Sequence, residues 1–185
     1  MRNTIEVVTR LAEKRVITNY AIAGAVAALN YIEPMLTDDL DILISLEGFE
    51  KHASGLLLLG PIEKALAQMG YTERTDVGYR IEGWPVQFLP VASPLDEEGL
   101  LEAVEVNVAE PGHPPLQARV LRAEHIVATA LNVGRPKDIV RIQAFLEQNA
   151  VDLRQLKTVL DRHNLGEAWH ALCLKTGVIN PFEKS

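Results

Sequence analysis

Apolar and polar positions follow two different periods along the chain, and the change between them divides it. Residues 4–14 carry Ile5, Val8, Leu11 and Ala12 at helical spacing, which predicts an amphipathic helix packed on a sheet. Residues 19–23 read as a short strand, Gly24 as a turn, and residues 25–31 as the start of a helix of small residues. In the run Thr37 to Ile44, alternation sends Leu40, Ile42 and Ile44 to one face and Asp39, Asp41 and Leu43 to the other, so two carboxylates open an otherwise apolar strand.

Residues 45–60 lack a clear period, and the Leu56 to Leu59 run within them receives no assignment. Pro61 suits a first helical turn, and residues 62–69 continue that helix until Gly70 stops it. Residues 79–81 and 86–89 read as two strands joined by a turn at Gly83, Trp84 and Pro85. A short helix over 96–103 has Ser93 as its candidate cap, and residues 104–108 alternate as a half-buried strand. The proline-rich loop 111–115 marks a seam, with an edge strand at 116–120 beyond it. Helical spacing then takes over at 123–133, 136–148, 152–162 and 166–175. The expected architecture is α/β (α+β): a mixed sheet with helices over residues 1–113, then a mainly helical C-terminal subdomain over 114–185.

Composition narrows the function classes. A chain of 185 residues, 48% of them apolar, can bury a substantial core. The single Cys173 excludes a disulfide framework and sits in an apolar helical context suited to a buried thiol. No run approaches the roughly 18 consecutive apolar residues of a membrane span. The first fifteen residues do not read as a secretion signal, and a cytoplasmic protein is expected. A formal charge of −7 argues against a general nucleic-acid coat. A local basic cleft remains compatible with it: Arg119, Arg122, Arg135, Lys137 and Arg141 form the most concentrated basic stretch.

The candidate chemistry centres on Asp39 and Asp41. Two like charges on neighbouring same-face positions repel, and a divalent cation relieves the repulsion. The preceding strand, Gly24 and helix start form an arrangement that lets backbone N–H groups approach a phosphate, with Gly24 and Ala25 at the point of approach. Gly24 lacks the second and third glycines of a dinucleotide-binding turn, which removes that alternative. The five histidines share no metal-ligand spacing and read as structural or solvated, and both tryptophans as packing residues.

These residues resemble the nucleotidyltransferase superfamily typified by DNA polymerase β, in its minimal and toxin-like branch. The likeness runs from about Tyr20 to Arg141 and rests on Gly24, Thr37, Asp39 and Asp41, on the 81–90 segment, and on Gly134 to Asp138. It implies Mg2+ held by Asp39 and Asp41, with an NTP contacted by Gly24, Ala25, Thr37, Arg135 and Lys137. The implied reaction moves a nucleoside monophosphate onto a hydroxyl of an RNA 3′ end, a protein or a small molecule, and an antitoxin-like protein partner is implied as well. The chain departs from the pattern at Ala25, at Met35 in place of an arginine, near Ala130 in place of a lysine, and at Gln87 in place of a third carboxylate. A glutamine offers a carbonyl oxygen to a cation but accepts no proton. Two readings therefore stand: an active transferase, or a protein that keeps the fold as a nucleotide- or partner-binding module. Single residues have plainer readings too. Gly24 is equally a close-packing glycine, and Arg135 and Lys137 equally cap a helix and pair with Asp138.

Overall fold

The structure is a computed structural model that describes residues 1–45, 47, 59–109 and 111–182. Much of the unassigned 45–60 segment, including Leu56 to Leu58 and His52, lies outside the described residues. The described chain contains helices α1 (Arg2–Glu13), α2 (Gly24–Ala28), α3 (Gly60–Gln68) and α4 (Pro94–Leu101), interleaved with strands β1 (Tyr20–Ile22), β2 (Leu40–Ile44), β3 (Tyr79–Ile81), β4 (Trp84–Pro90), β5 (Val104–Val108) and β6 (Leu116–Val120). Four helices follow: α5 (Ala123–Val133), α6 (Pro136–Glu147), α7 (Leu153–Arg162) and α8 (Gly166–Thr176).

The strands form one mixed sheet in the order β3-β4-β2-β1-β6-β5. β2 runs antiparallel to β1 and parallel to β4, and β1 and β6 are parallel. Leu40, Ile42 and Ile44 are completely buried, as the alternation requires, and each such side chain contributes about 1.5–3 kcal/mol on leaving water. This burial sets the register of β2 and turns Asp41 to the opposite face, since a slip of one residue would put the carboxylates in the core.

Local signals place several boundaries. Pro61 lies in the first turn of α3, Asp152 caps α7 by accepting from the N–H groups of Arg154 and Gln155, and Ser93 accepts the N–H of Asp96 at 3.2 Å to start α4. The hairpin turn is tighter than expected. Glu82 and Gly83, both at positive φ, complete it by themselves, so Trp84 and Pro85 already belong to β4. β6 is not an edge strand: it lies between β1 and β5, and β5 forms the margin. The sheet thus runs on past the Pro114-Pro115 loop, and the all-helical portion starts at Ala123. α2 is only five residues long, shorter than its run of small residues suggested. Cys173 is buried and Trp169 packs in the core beside Phe182.

Candidate active site

Asp41 is the second residue of β2 and Asp39 immediately precedes the strand. Thr37 donates a hydrogen bond to the Asp39 carbonyl at 3.1 Å and lies 3.5 Å from its carboxylate, which ties the acidic turn to itself. Asp41 and Gln87 are direct partners in the parallel β2–β4 ladder, so the glutamine side chain projects from the same sheet face beside the carboxylate. Gly24 closes the other side. Its φ is +61°, and a Cβ placed on it would lie 2.3 Å from Asp41 Oδ2, so a side chain here would strain the backbone and push the Asp41 carboxylate aside. Glycine thus leaves the carboxylate its place here, whatever it does for a ligand.

The carboxylates open into a cleft of about 380 Å³ whose walls include Ala25, Met35, Thr37, Arg135, Lys137 and Arg141. Burial, and then the neighbouring Asp39 charge, raise the Asp41 pKa above the usual carboxylate value, while Arg135, Lys137 and Arg141 pull it down. Three acids, Asp38, Asp39 and Asp41, and three bases line one cavity, an arrangement that can take a metal–phosphate pair with both signs of charge matched. With α2 so short, its dipole is a small part of this field, and the cationic side of the cleft comes from α6.

Arg135 and Arg141 are held by Asp138, which is 1% exposed. Arg135 Nε donates to it at 2.7 Å and Arg141 lies at 3.3 Å. The Asp138 hydrogen bond raises the Arg135 pKa, whereas burial lowers that of Arg141 with Asp138 opposing. Arg135 both pairs with Asp138 and lines the cleft. The rest of the basic stretch is committed elsewhere. Arg119 bonds the Asn19 side chain and the carbonyls of Leu100 and Ala103, and Arg122 pairs with Glu102 and Glu124.

One constellation has no counterpart in the sequence reading. Glu98, Glu102 and His125 bring one ligand atom each within 4.8 Å of one another. Glu98 also pairs with Arg162 at 2.6 Å and with His163 at 2.9 Å, and Arg122 lies 3.2 Å from Glu102. Burial acts to raise the Glu98 pKa, but hydrogen bonds from Arg162, His163 and His125 prevail and hold it at about 2. The donors could hold a cation, yet two guanidinium groups already neutralise both carboxylates. The cluster reads more simply as an ion-pair hub tying α4 to α5 and to the end of α7. The separations in sequence, 27 residues for Glu98 to His125 and 65 for Glu98 to His163, leave no local motif to find.

No protein-family model matches the chain, and no curated protein matches it by sequence. Its fold does have solved counterparts. The solution structure of the antibiotic-resistance factor ANT(2'')-Ia aligns over 94% of this chain and 95% of its own, with a TM-score of 0.52 at 16% identity. The chain has a nucleotidyltransferase fold. A crystal structure of ANT(2'')-Ia in complex with adenylyl-2''-tobramycin aligns over 84% of this chain and 91% of its own, with a TM-score of 0.48 at 17% identity. Among the described residues, no helix is long and apolar enough to cross a membrane.

Proposed function

We propose that the protein is a Mg2+-dependent nucleotidyltransferase that moves a nucleoside monophosphate from an NTP to an acceptor hydroxyl. The observation that carries this reading is the cleft itself: Asp39 and Asp41 on one wall, Arg135, Lys137 and Arg141 on the other, within a nucleotidyltransferase fold. The donors fit a hard divalent cation, since Asp39, Asp41 and the Gln87 carbonyl are all oxygens, and burial followed by the Asp39 charge disfavours an Asp41 carboxylate without a counter-ion. Asp39 and Asp41 would hold Mg2+, whose chemistry there would be to offset the negative charge of the triphosphate.

The chain's own residues do the positioning. Arg135, Lys137 and Arg141 bind the phosphate oxygens, and the Asp138 contacts fix the two guanidinium groups before substrate arrives. Thr37 holds the Asp39 turn, and Gly24 leaves room for Asp41 in its cleft-facing position. In-line phosphoryl transfer is largely positioning and charge neutralisation, so this set suffices for the essential work apart from proton removal. Arg135 and Lys137 serve the triphosphate in this reading, and the overall charge of −7 favours a small-molecule or protein hydroxyl over an RNA end.

Gln87 beside Asp41 favours a second reading, a protein that binds nucleotide without turnover. Incubation with each α-labelled NTP, Mg2+ and pooled RNA, protein and metabolite extract separates the two. The transferase reading expects labelled product from the wild type that Asp39→Ala and Asp41→Ala abolish. Magnesium-dependent nucleotide binding with no labelled product establishes the binding module, and labelling that survives both substitutions rejects this cleft.

A further inference from the structure

The acidic turn has a second side. Asp38 and Asp39 also line a groove of about 390 Å³ whose opposite wall is formed by Arg74, Thr75, Asp76, Val77, Arg80 and Pro85. Residues 73–80 form a tight turn of their own. Thr75 N–H donates to the Gly78 carbonyl at 2.9 Å, Gly78 N–H to Thr75 Oγ1 at 3.1 Å, and Arg80 N–H to the Glu73 carbonyl at 3.0 Å. The turn is seated on β4. A Cβ on Gly78 would lie 2.1 Å from the Val86 carbonyl oxygen and 3.3 Å from the Gln87 Cα, so its backbone rests directly against the strand position where the carboxylate is missing. Asp76 sits at the tip of that turn, facing the groove.

The charges of the groove are unequal in their freedom. Arg74 pairs with Glu63 at 2.7 Å and lies over the Tyr79 ring, and Arg80 pairs with Glu73 at 2.6 Å. Among the described residues Asp76 has no hydrogen-bond or ion-pair partner, and it is exposed. Glu82, the other acid of the hairpin, is occupied by the Tyr71 hydroxyl. Arg135, Lys137 and Arg141 line the cleft and not this groove, while Asp38 and Asp39 line both. In-line displacement needs two spaces next to the metal-binding turn, one for the leaving pyrophosphate and one on the opposite side of the α-phosphorus for the incoming hydroxyl.

We propose that Asp76, presented by the 73–80 turn, is the proton acceptor that Gln87 cannot be, and that the groove it lines admits the acceptor hydroxyl. The inference rests on the nucleotidyltransferase reading above and names the base for it. The acceptor O–H gives its proton to the Asp76 carboxylate as its oxygen bonds to the α-phosphorus. The bond from that phosphorus to the bridging oxygen breaks, and pyrophosphate leaves with the electron pair. A positioned base contributes on the order of 10²–10⁴-fold. Because Asp76 is an exposed tip residue, its removal leaves the core untouched.

The test measures pyrophosphate release from each NTP with Mg2+, water serving as the acceptor, together with calorimetric NTP affinity. Asp76→Ala should slow release by roughly 10²–10⁴-fold, the span a general base supplies, with affinity unchanged. Added formate should restore the rate in proportion to its concentration, which a merely structural role would not allow. Gln87→Asp introduced into Asp76→Ala should also restore it, and Glu82→Gln alone should leave the rate as in the wild type. An Asp76→Ala enzyme as fast as wild type, or slow without rescue by formate, overturns the assignment, as does a wild type that binds NTP with Mg2+ yet releases no pyrophosphate. A wild type that binds no NTP with Mg2+ overturns the transferase reading itself, and this inference with it.

Discussion

Gly24→Ala isolates the contact on which the geometry of the aspartate pair depends. The substitution carries two costs. The left-handed backbone at φ +61° costs a residue with a Cβ about 1–2 kcal/mol. The new methyl at 2.3 Å from Asp41 Oδ2 forces that side chain off its rotamer, which adds about 0.5–1.5 kcal/mol. For a chain of this size the combined loss corresponds to a fall in Tm of roughly 3–14 °C. Gly134→Ala is the control. Its φ of +69° is nearly the same, but the added Cβ would meet only the Leu131 carbonyl oxygen at 3.7 Å, so it carries the backbone cost alone. The two proteins should differ further in nucleotide affinity, which Gly24→Ala lowers by displacing Asp41 and Gly134→Ala leaves intact. Differential scanning calorimetry of Gly24→Ala, Asp41→Ala and the double variant completes the cycle: with Asp41 truncated, Gly24→Ala should cost less than in the wild type. Equal costs in both backgrounds would refute the claim that Gly24 is kept free for Asp41.

Three further outcomes follow from the charged groups. Asp41→Asn should raise the Tm of the metal-free protein at neutral pH by about 2–4 °C for each kcal/mol recovered, because it removes a half-buried charge repelled by Asp39, while abolishing stabilisation by NTP with Mg2+; thermal melts with and without ligand check both. Asp138→Asn leaves Arg141 buried with a weakened partner and should cost about 3–5 kcal/mol in urea unfolding. Glu98 has its folded pKa depressed from 4.5 to about 2, so the stability it contributes is fully present above about pH 4.5 and lost as pH falls toward 2. With Arg162 half exposed, that contribution is on the order of 1 kcal/mol, and an acid titration of Glu98→Gln should lack this step.

The parts of the fold written in short-range pattern were legible. Alternation in β2 put Leu40, Ile42 and Ile44 in the core, and Pro61 and Ser93 marked helix starts through local turn chemistry. The parts decided by distant packing were not. The interior position of β6 depends on its pairing with both β1 and β5, which no property of residues 116–120 reveals. The basic stretch looked continuous in sequence, yet α5 and α6 direct it two ways: Arg122 goes to Glu102 and Glu124, Arg135 and Arg141 to the cleft. The Glu98 hub joins three helices, so the histidines that looked unrelated by spacing meet on one carboxylate. Position 87 was the reverse case. Its residue type and strand were both readable, and the ladder places it opposite Asp41, whereas the groove that brings Asp76 to face Asp39 exists only in the folded chain.

The central claim is that Asp39 and Asp41 bind a nucleotide through a divalent cation. Isothermal titration of the full chain with each NTP, in Mg2+ and in EDTA, addresses it most directly. The account predicts binding in Mg2+, none in EDTA, and none for the protein carrying both Asp39→Ala and Asp41→Ala. Binding that persists in EDTA, or that the double substitution leaves unchanged, would contradict it.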